Sequence, residues 1–495
     1  MLQDIKNTIK QSAIYGLSRI SFKFIGFILF PLYSLYFTPK EYGIIVRGEI
    51  FWPALQTIML YALETAIFRW YSLLDDIHKK KSLIFSAYSL LIILNLILVV
   101  ISFIFSSQIS KILFNTDAFP DIIRSCILIT LFETLLGVPL IILRIEEKAV
   151  KYSVLVILES LISLSLQIYF ITSTTQKLNG VFIAKVIAAF TIFIILLPKL
   201  LRAISFHFDL SLIKQILIFC LPLMAASLVS NLFNSQDRFI LGYITDSNQV
   251  GLYGLGYNIA GVLVFLLISP FALAFPTIFW KKTKEDNAER FFTKSVTYSF
   301  LAYTSGALIL SLIAPDFIRI FARNPDYWLA MDIVPIISFS LAIYGIQVIG
   351  FMSFYYYKKT HVVLLILLIS TIINFILNLI LIPFFQMYGA AISTFISYIL
   401  SSVIIYIWSK KYYFIKWEIY KLSISLIVGI ILVLPFYLMK LDNIIISIVL
   451  RIIAIIIYPL ILYYLHFYEN IEIETIKKFI YKYIHIDRKP KIQNY

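Results

Sequence analysis

The sequence predicts an all-α polytopic membrane protein of about fourteen transmembrane helices, two six-helix lobes followed by an extra C-terminal helix pair. Three observations carry that prediction. The 495 residues are 61% hydrophobic and only 14% charged, outside the range of soluble domains. Apolar runs of about 20 residues, the length needed to cross a bilayer core about 30 Å thick, recur along the whole chain. Between them, Lys and Arg crowd into alternate loops. Only helices satisfy their own backbone in lipid, and the alternating ten-residue segments of a membrane barrel are absent.

In order, the first half gives spans at 12–37, 43–68, 82–106, 121–143, 152–172 and 180–201. The first is too long for a signal-peptide core, carries Arg19 and Lys23, and precedes no small-residue cleavage site, so it is expected to remain as helix 1. The second half gives 214–241, 250–279, 293–314, 327–356, 362–385 and 388–408, then the extra pair at 420–439 and 443–467. With the N-terminus inside, cytoplasmic segments hold 28 Lys and Arg against 6 in the outer loops, and both termini are expected to be cytoplasmic. The net charge of +15 therefore needs no nucleic-acid partner.

A repeat accompanies this count. Tyr36-Phe37-Thr38 leads to Gly43 after helix 1, and Tyr243-Ile244-Thr245 leads to Gly251 after helix 7, an offset of 208. Asn179-Gly180 and Tyr388-Gly389 open helices 6 and 12 at an offset of 209. A shared offset suggests lobes of like topology at 1–212 and 213–410, the extra helices at 411–467 and a basic cytoplasmic tail at 468–495.

The chain lacks the motifs of chemistry. No phosphate-cradling glycine loop, HExxH, GxSxG or spaced DxD pair is present, and no hydrophilic loop exceeds about 16 residues. Cys126 and Cys220 lie in expected spans with no zinc or disulfide spacing, and the five histidines form no cluster. A non-enzyme without cofactor or metal is expected.

Eight cations fall within spans or at their ends: Arg19, Lys23, Arg47, Arg69, Arg124, Lys185, Arg238 and Arg451. A cation in the bilayer costs several kcal/mol and so tends to face an internal cavity. Two readings stand. The end residues can snorkel to headgroups, or the cations line a substrate path; Lys23 and Arg47 lie deeper in their helices than the rest. Arg19 and Lys23, four apart, share a helix face. The carboxylates Glu49, Glu64, Glu133, Glu159 and Asp237 accompany them, either as interhelical salt bridges or as groups that couple transport to an ion gradient. A cationic lumen suits an anionic cargo with a phosphate or diphosphate headgroup, candidate contacts being Arg19, Lys23, Arg47, Arg69 and Arg238.

Several stretches carry a resemblance. Pro31-Leu32-Tyr33, Thr38-Pro39-Lys40-Glu41-Tyr42-Gly43 and Phe68-Arg69-Trp70-Tyr71 resemble the start of the polysaccharide biosynthesis (O-antigen/capsule repeat-unit) flippases. These belong to the multidrug/oligosaccharidyl-lipid/polysaccharide exporter superfamily. Asp237-Arg238-Phe239-Ile240-Leu241-Gly242, Val250-Gly251-Leu252-Tyr253, and Asn374 to Asn378 with Ile382-Pro383 and Tyr388-Gly389-Ala390-Ala391 resemble its later helices. The resemblance implies a bacterial inner membrane location, a central cavity and alternating access. It also implies a polyprenyl-diphosphate-linked oligosaccharide as cargo, with membrane lipid and polysaccharide polymerase or assembly proteins as partners. Related flippases use cavity cations on helices 1 and 2, which Arg19, Lys23 and Arg47 match by helix and residue type. Position 23 departs as Lys rather than Arg, and helix 8 carries no cation, which leaves Arg238 as the second-lobe candidate. A multidrug exporter of the same superfamily commonly places a carboxylate on helix 1, and 12–37 contain none. A membrane polymerase or ligase typically carries a large external catalytic loop, which is missing.

Overall fold

Long apolar stretches separated by short polar breaks leave the backbone one way to satisfy its hydrogen bonds in lipid. Among the described residues the computed structural model is helical, with no strand. It describes residues 28–59, 61–283, 285–438, 444–470 and 473–474. The elements are α1 (28–36), α2 (Pro39–Met59), α3 (Tyr61–Leu73), α4 (Ile77–Ile104), α5 (Ser106–Phe114), α6 (Pro120–Ile145), α7 (Ala149–Ser173) and α8 (Lys177–Ala203). Then follow α9 (Leu210–Ile244), α10 (Ser247–Ala260), α11 (Ser269–Lys282), α12 (Ala288–Phe321), α13 (Ile333–Tyr356), α14 (Thr360–Ser409), α15 (Ile419–Leu438) and α16 (Ile444–Tyr464).

Twelve helical stretches among the described residues are long and apolar enough to cross a membrane. One of them, α14, spans 50 residues and is broken at Gln386, whose φ of 50° is left-handed. The chain reverses there. Asn374, twelve residues before the break, donates to the Ser397 hydroxyl eleven residues after it, at 3.1 Å. Gly389 allows the reversal to be tight, because a Cβ at that position would overlap the Leu381 carbonyl oxygen. Counting α14 as two crossings gives thirteen among the described residues, and α1 is the described end of the expected helix 1. The start of helix 1, including Arg19 and Lys23, lies outside the described residues.

Three elements fall outside the sequence expectation. The short helix α5 precedes crossing 4, a 3-10 turn at Pro325–Asp332 leads into α13, and a π-helical segment at Val264–Ile268 joins α10 to α11. Crossing 8 is therefore one stretch, Ser247–Lys282, with a wide turn in its middle.

Helices α2 to α8 pack on one another, with α6 and α7 on α8 and both α2 and α4 on α6. Helices α9 to α14 form a second set through α13 on α14, α9 on α14 and α12 on α13. The extra pair docks through α15 and α16 on α12. Polar anchors fix that docking. Tyr437 donates to the Ser311 carbonyl at 2.7 Å, the Tyr458 and Thr304 hydroxyls hydrogen-bond at 2.9 Å, and Arg451 on α16 pairs with Asp316 on α12. Arg451 thus braces the appended helix.

Candidate functional site

The two helix sets meet where α2 crosses α10, at the face opposite the basic loops, and again where α3 lies on α9. A Cβ at Gly43 would overlap the Ser247 carbonyl oxygen, and a Cβ at Gly251 would overlap the Pro39 carbonyl oxygen. The contact is reciprocal. Pro39 precedes Gly43 by four residues as Ser247 precedes Gly251, and both Gly43/Gly251 and Pro39/Ser247 differ by the repeat offset of 208. Val46 and Gly254 share that offset and touch each other, with a Cβ at Gly254 falling 2.8 Å from a Val46 methyl. Residues that share this offset therefore touch each other across the joint. Glycine is required here because backbone meets backbone with no room for a side chain.

Further bonds close the same face. Tyr327 donates to the Phe37 carbonyl at 3.1 Å, Ser34 to the Phe321 carbonyl at 3.0 Å, and Asn258 to the Tyr42 hydroxyl at 3.2 Å. Tyr33, Tyr42, Tyr327 and Phe30 stack edge-on and tilted around this joint. Arg47 is part of it. Its side chain is 2% exposed, with Nη1 donating to the Leu113 carbonyl at 2.8 Å and Nη2 to the Gly242 carbonyl. Asn115 donates to that same Gly242 carbonyl at 2.9 Å. Any side chain at Gly242 would collide with the Arg47 guanidinium. In this conformation Arg47 therefore latches α2 to α9 and to the end of α5, and its Nε has no hydrogen-bond partner among the described residues.

The other charges fall into separate groups. Arg69, exposed near the basic end of α3, lies over the Phe219 ring of α9 at 4.9 Å. Arg238 is 9% exposed and stands 3.7 Å over the Tyr257 ring of α10. Beside it Asp237 accepts from the Tyr253 hydroxyl at 2.6 Å and from the Arg238 amide at 2.8 Å. Glu49 on α2 pairs with Lys185 on α8 at 2.6 Å. Glu133 on α6 lies close to Glu159 on α7, Gln56 on α2 and Lys185 on α8. Glu64 is half-buried on α3 and has an interaction partner. Glu49, Glu133, Glu159 and Lys185 are thus gathered where α2, α6, α7 and α8 meet.

A second polar cluster was not singled out by sequence as a site. Gln236 donates to Asn374 Oδ1 at 2.8 Å, Asn378 donates to the same oxygen at 2.9 Å, and Thr394 reaches Asp237 at 3.4 Å. Asn378 Oδ1 itself is buried without a hydrogen-bond partner among the described residues. The available signal was the spacing of Ser370, Asn374 and Asn378, four apart on one face of an otherwise apolar helix.

This geometry can be set beside known proteins. The model of the family described as "Polysaccharide biosynthesis protein" matches residues 8–280, and that of MatE matches 222–380. An uncharacterized membrane protein of Methanocaldococcus jannaschii is 25% identical over 245 residues, 48% of this chain and 48% of its own length. The chain therefore spans about half the length of that relative. A solved structure of the Lipid II flippase MurJ in an inward closed conformation superposes with a TM-score of 0.73 at 17% identity, covering 92% of this chain and 99% of that one. An outward-facing multidrug resistance MATE family transporter superposes at 0.59 with 14% identity, covering 81% and 95%. Its inward-facing counterpart gives 0.58 at 14%, covering 80% and 93%. At these identities the likeness is one of fold, and the match over 8–280 is what decides membership. The chain belongs to the polysaccharide biosynthesis protein family, within the multidrug/oligosaccharidyl-lipid/polysaccharide exporter superfamily.

Proposed function

We propose that the protein is a flippase that carries a polyprenyl-diphosphate-linked oligosaccharide from the cytoplasmic to the outer leaflet of a bacterial inner membrane, by alternating access, for cell-surface polysaccharide synthesis. The observation that carries the reading is the reciprocal Gly43/Gly251 joint. Two helix sets joined backbone to backbone at the face opposite the basic loops support this reading, because alternating access needs one state closed at that face. The lobes are 1–212 and 213–410, with 411–467 as an extra helix pair and 468–495 as a basic tail on the cytoplasmic side, where the charge bias puts both termini.

In this reading Arg19, Lys23 and Arg47 hold the diphosphate, with Arg69 and Arg238 as outlying contacts. Arg47 is held by two backbone carbonyls in the conformation described, so its contact with cargo would follow release of the latch. Its two Nη groups could then serve a phosphate as they now serve the carbonyls. Glu49, Glu64, Glu133, Glu159 and Asp237 are the candidates for coupling to an ion gradient, and the neighbouring pair Glu133 and Glu159 is a natural place for an exchangeable proton or cation. Polysaccharide polymerase or assembly proteins are the expected partners.

A second reading, export of drugs, is favoured by the MatE match over 222–380. One experiment separates the two. Mass spectrometry of polyprenyl-linked lipids from cells with and without this gene is expected to show a complete lipid-diphosphate oligosaccharide accumulating on deletion. The triple variant Arg19→Gln, Lys23→Gln, Arg47→Gln should reproduce that accumulation with folded protein present. No accumulation, together with gained sensitivity to cationic drugs, would replace the flippase reading with the exporter.

A further inference from the structure

Away from the joint between the helix sets, the first set contains a cavity of about 450 Å³ on the basic face, walled by the ends of α3, α4, α6, α7 and α8. Six cations line it: Lys80, Lys81, Lys148, Lys151, Lys199 and Arg202. Its one acidic residue, Glu146, is already shared between Lys148 at 2.8 Å and Lys199 at 2.6 Å. Lys80 lies over the Tyr71 ring at 4.9 Å. Lys81, Lys151 and Arg202 have no ion-pair partner among the described residues.

Such an excess within one cavity, on five helix ends held side by side, is repulsive unless an anion enters it. The ends cannot drift apart freely. The segment between α8 and α9 is strapped onto α4, where Ser82 donates to the His207 carbonyl at 2.9 Å and the Asp209 amide donates to the Ser86 hydroxyl at 2.9 Å. Phe206 stacks edge-on against Phe85 at the same place. The cavity is a built feature rather than a gap between mobile ends.

The rest of its wall says what kind of anion fits. Ile77, Ile84, Ile142 and Ile195 line the same space, and Ile77 and Ile195 are 54% and 48% exposed, so the apolar wall runs out onto the outer surface of the helices. A free inorganic anion gains nothing from that wall, whereas a hydrocarbon chain does. We propose that this cavity is a binding site for the phosphate headgroup of an anionic membrane phospholipid of the cytoplasmic leaflet, separate from the cargo path. Its phosphate would lie among Lys81, Lys151 and Arg202, and its acyl chains would follow Ile77 and Ile195 into the bilayer. Basic pockets between helices at that side of a membrane suit such headgroups.

The test uses the full chain purified in detergent. Native mass spectrometry would follow bound phosphatidylglycerol, with phosphatidylcholine, inorganic phosphate and a polyprenyl diphosphate as competitors. The variant Lys81→Gln, Lys151→Gln, Arg202→Gln is expected to bind phosphatidylglycerol about a hundredfold more weakly, from about a fivefold loss per cation at a membrane surface. A control with equal charge loss on the same face, Lys281→Gln, Lys358→Gln, Lys359→Gln, is expected to bind as the unaltered protein does. Melting temperatures measured in phosphatidylcholine show whether either triple variant is folded. Equal weakening by both triple variants would reduce the effect to diffuse surface charge. Displacement of the lipid by inorganic phosphate would make the cavity a free-anion site. Preference for polyprenyl diphosphate over phosphatidylglycerol would return it to the cargo path. Each of these results overturns the proposal without touching the flippase reading, which stands or falls on lipid-linked glycan accumulation.

Discussion

Placing a methyl group at the Gly43/Gly251 joint tests whether that joint is a gate. A Cβ at Gly43 overlaps the Ser247 carbonyl oxygen, and one at Gly251 overlaps the Pro39 carbonyl oxygen, so backbone atoms rather than pliable side-chain tips must yield. Overpacking of this kind costs about 1–3 kcal/mol. At about 2 kcal/mol, Gly43→Ala alone should lower the closed-to-open ratio about thirtyfold. The double variant with Gly251→Ala should fall between about thirtyfold and about a thousandfold, since one separation of α2 from α10 relieves both clashes and the costs do not simply add. Alanine also favours helix over glycine by about 1 kcal/mol, but this gain is common to both conformations and cancels in their ratio. The assay is labelling by a membrane-impermeant maleimide of a Val46→Cys reporter, 4% exposed at the joint, in a Cys126→Ser, Cys220→Ser background. Reagent applied from the face opposite the basic loops should react faster by the same factor, with the protein still folded. Unchanged labelling in a folded double variant would refute the gate.

The remaining expectations concern charged groups. Arg47→Met removes two donors from the Leu113 and Gly242 carbonyls and should cost about 1–3 kcal/mol. It should therefore lower the melting temperature and loosen the same joint, while export lost with no change in stability would leave Arg47 a cargo contact alone. A double-mutant cycle on Glu49→Gln and Lys185→Met, scored by chemical denaturation, should give a coupling near 1 kcal/mol, because the two side chains remain 34% and 20% exposed and solvent screens the pair; zero coupling would dismiss the ion pair as a stabilising element. Burial raises the pKa of Glu418 just ahead of α15, but hydrogen bonds from Thr297, Lys294 and Lys421 outweigh it and hold the group below the usual carboxylate range. Lys294 and its neighbours likewise lower Glu469 beyond α16. Depressed folded-state values stabilise above the unfolded value, about 4.3 for Glu, and the contribution disappears as pH falls through the lower folded value. Hydrogen exchange at the start of α15 should accordingly accelerate below about pH 4, and Lys294→Met should flatten that response.

How much of this was legible in the sequence depends on the distance over which each feature is decided. Crossings are decided locally, since apolar length alone dictates a spanning helix, and the reversal at Gln386 falls between the spans read as 362–385 and 388–408. The shared offset of Gly43 and Gly251 was visible in the sequence, yet nothing in that spacing says that the two glycines touch. Their meeting depends on how two distant helix sets fold against each other. The same limit governs the charges. Sequence placed Arg47 inside a membrane helix, where a cation must find partners, and could not choose between a phosphate and a backbone carbonyl because both satisfy a guanidinium. The partners found, Leu113 and Gly242, lie 66 and 195 residues away. Glu49 with Lys185 and Arg451 with Asp316 were foreseeable only as pairs of some kind, since any buried charge must be compensated. The basic cavity shows the limit most clearly. Its six cations were each counted in the alternation from which the topology is expected, where a loop lysine is evidence about sidedness and nothing more. Only folding brings Lys81, Lys151 and Arg202, from three different helices, around one space, and turns a statistical bias into a possible binding site.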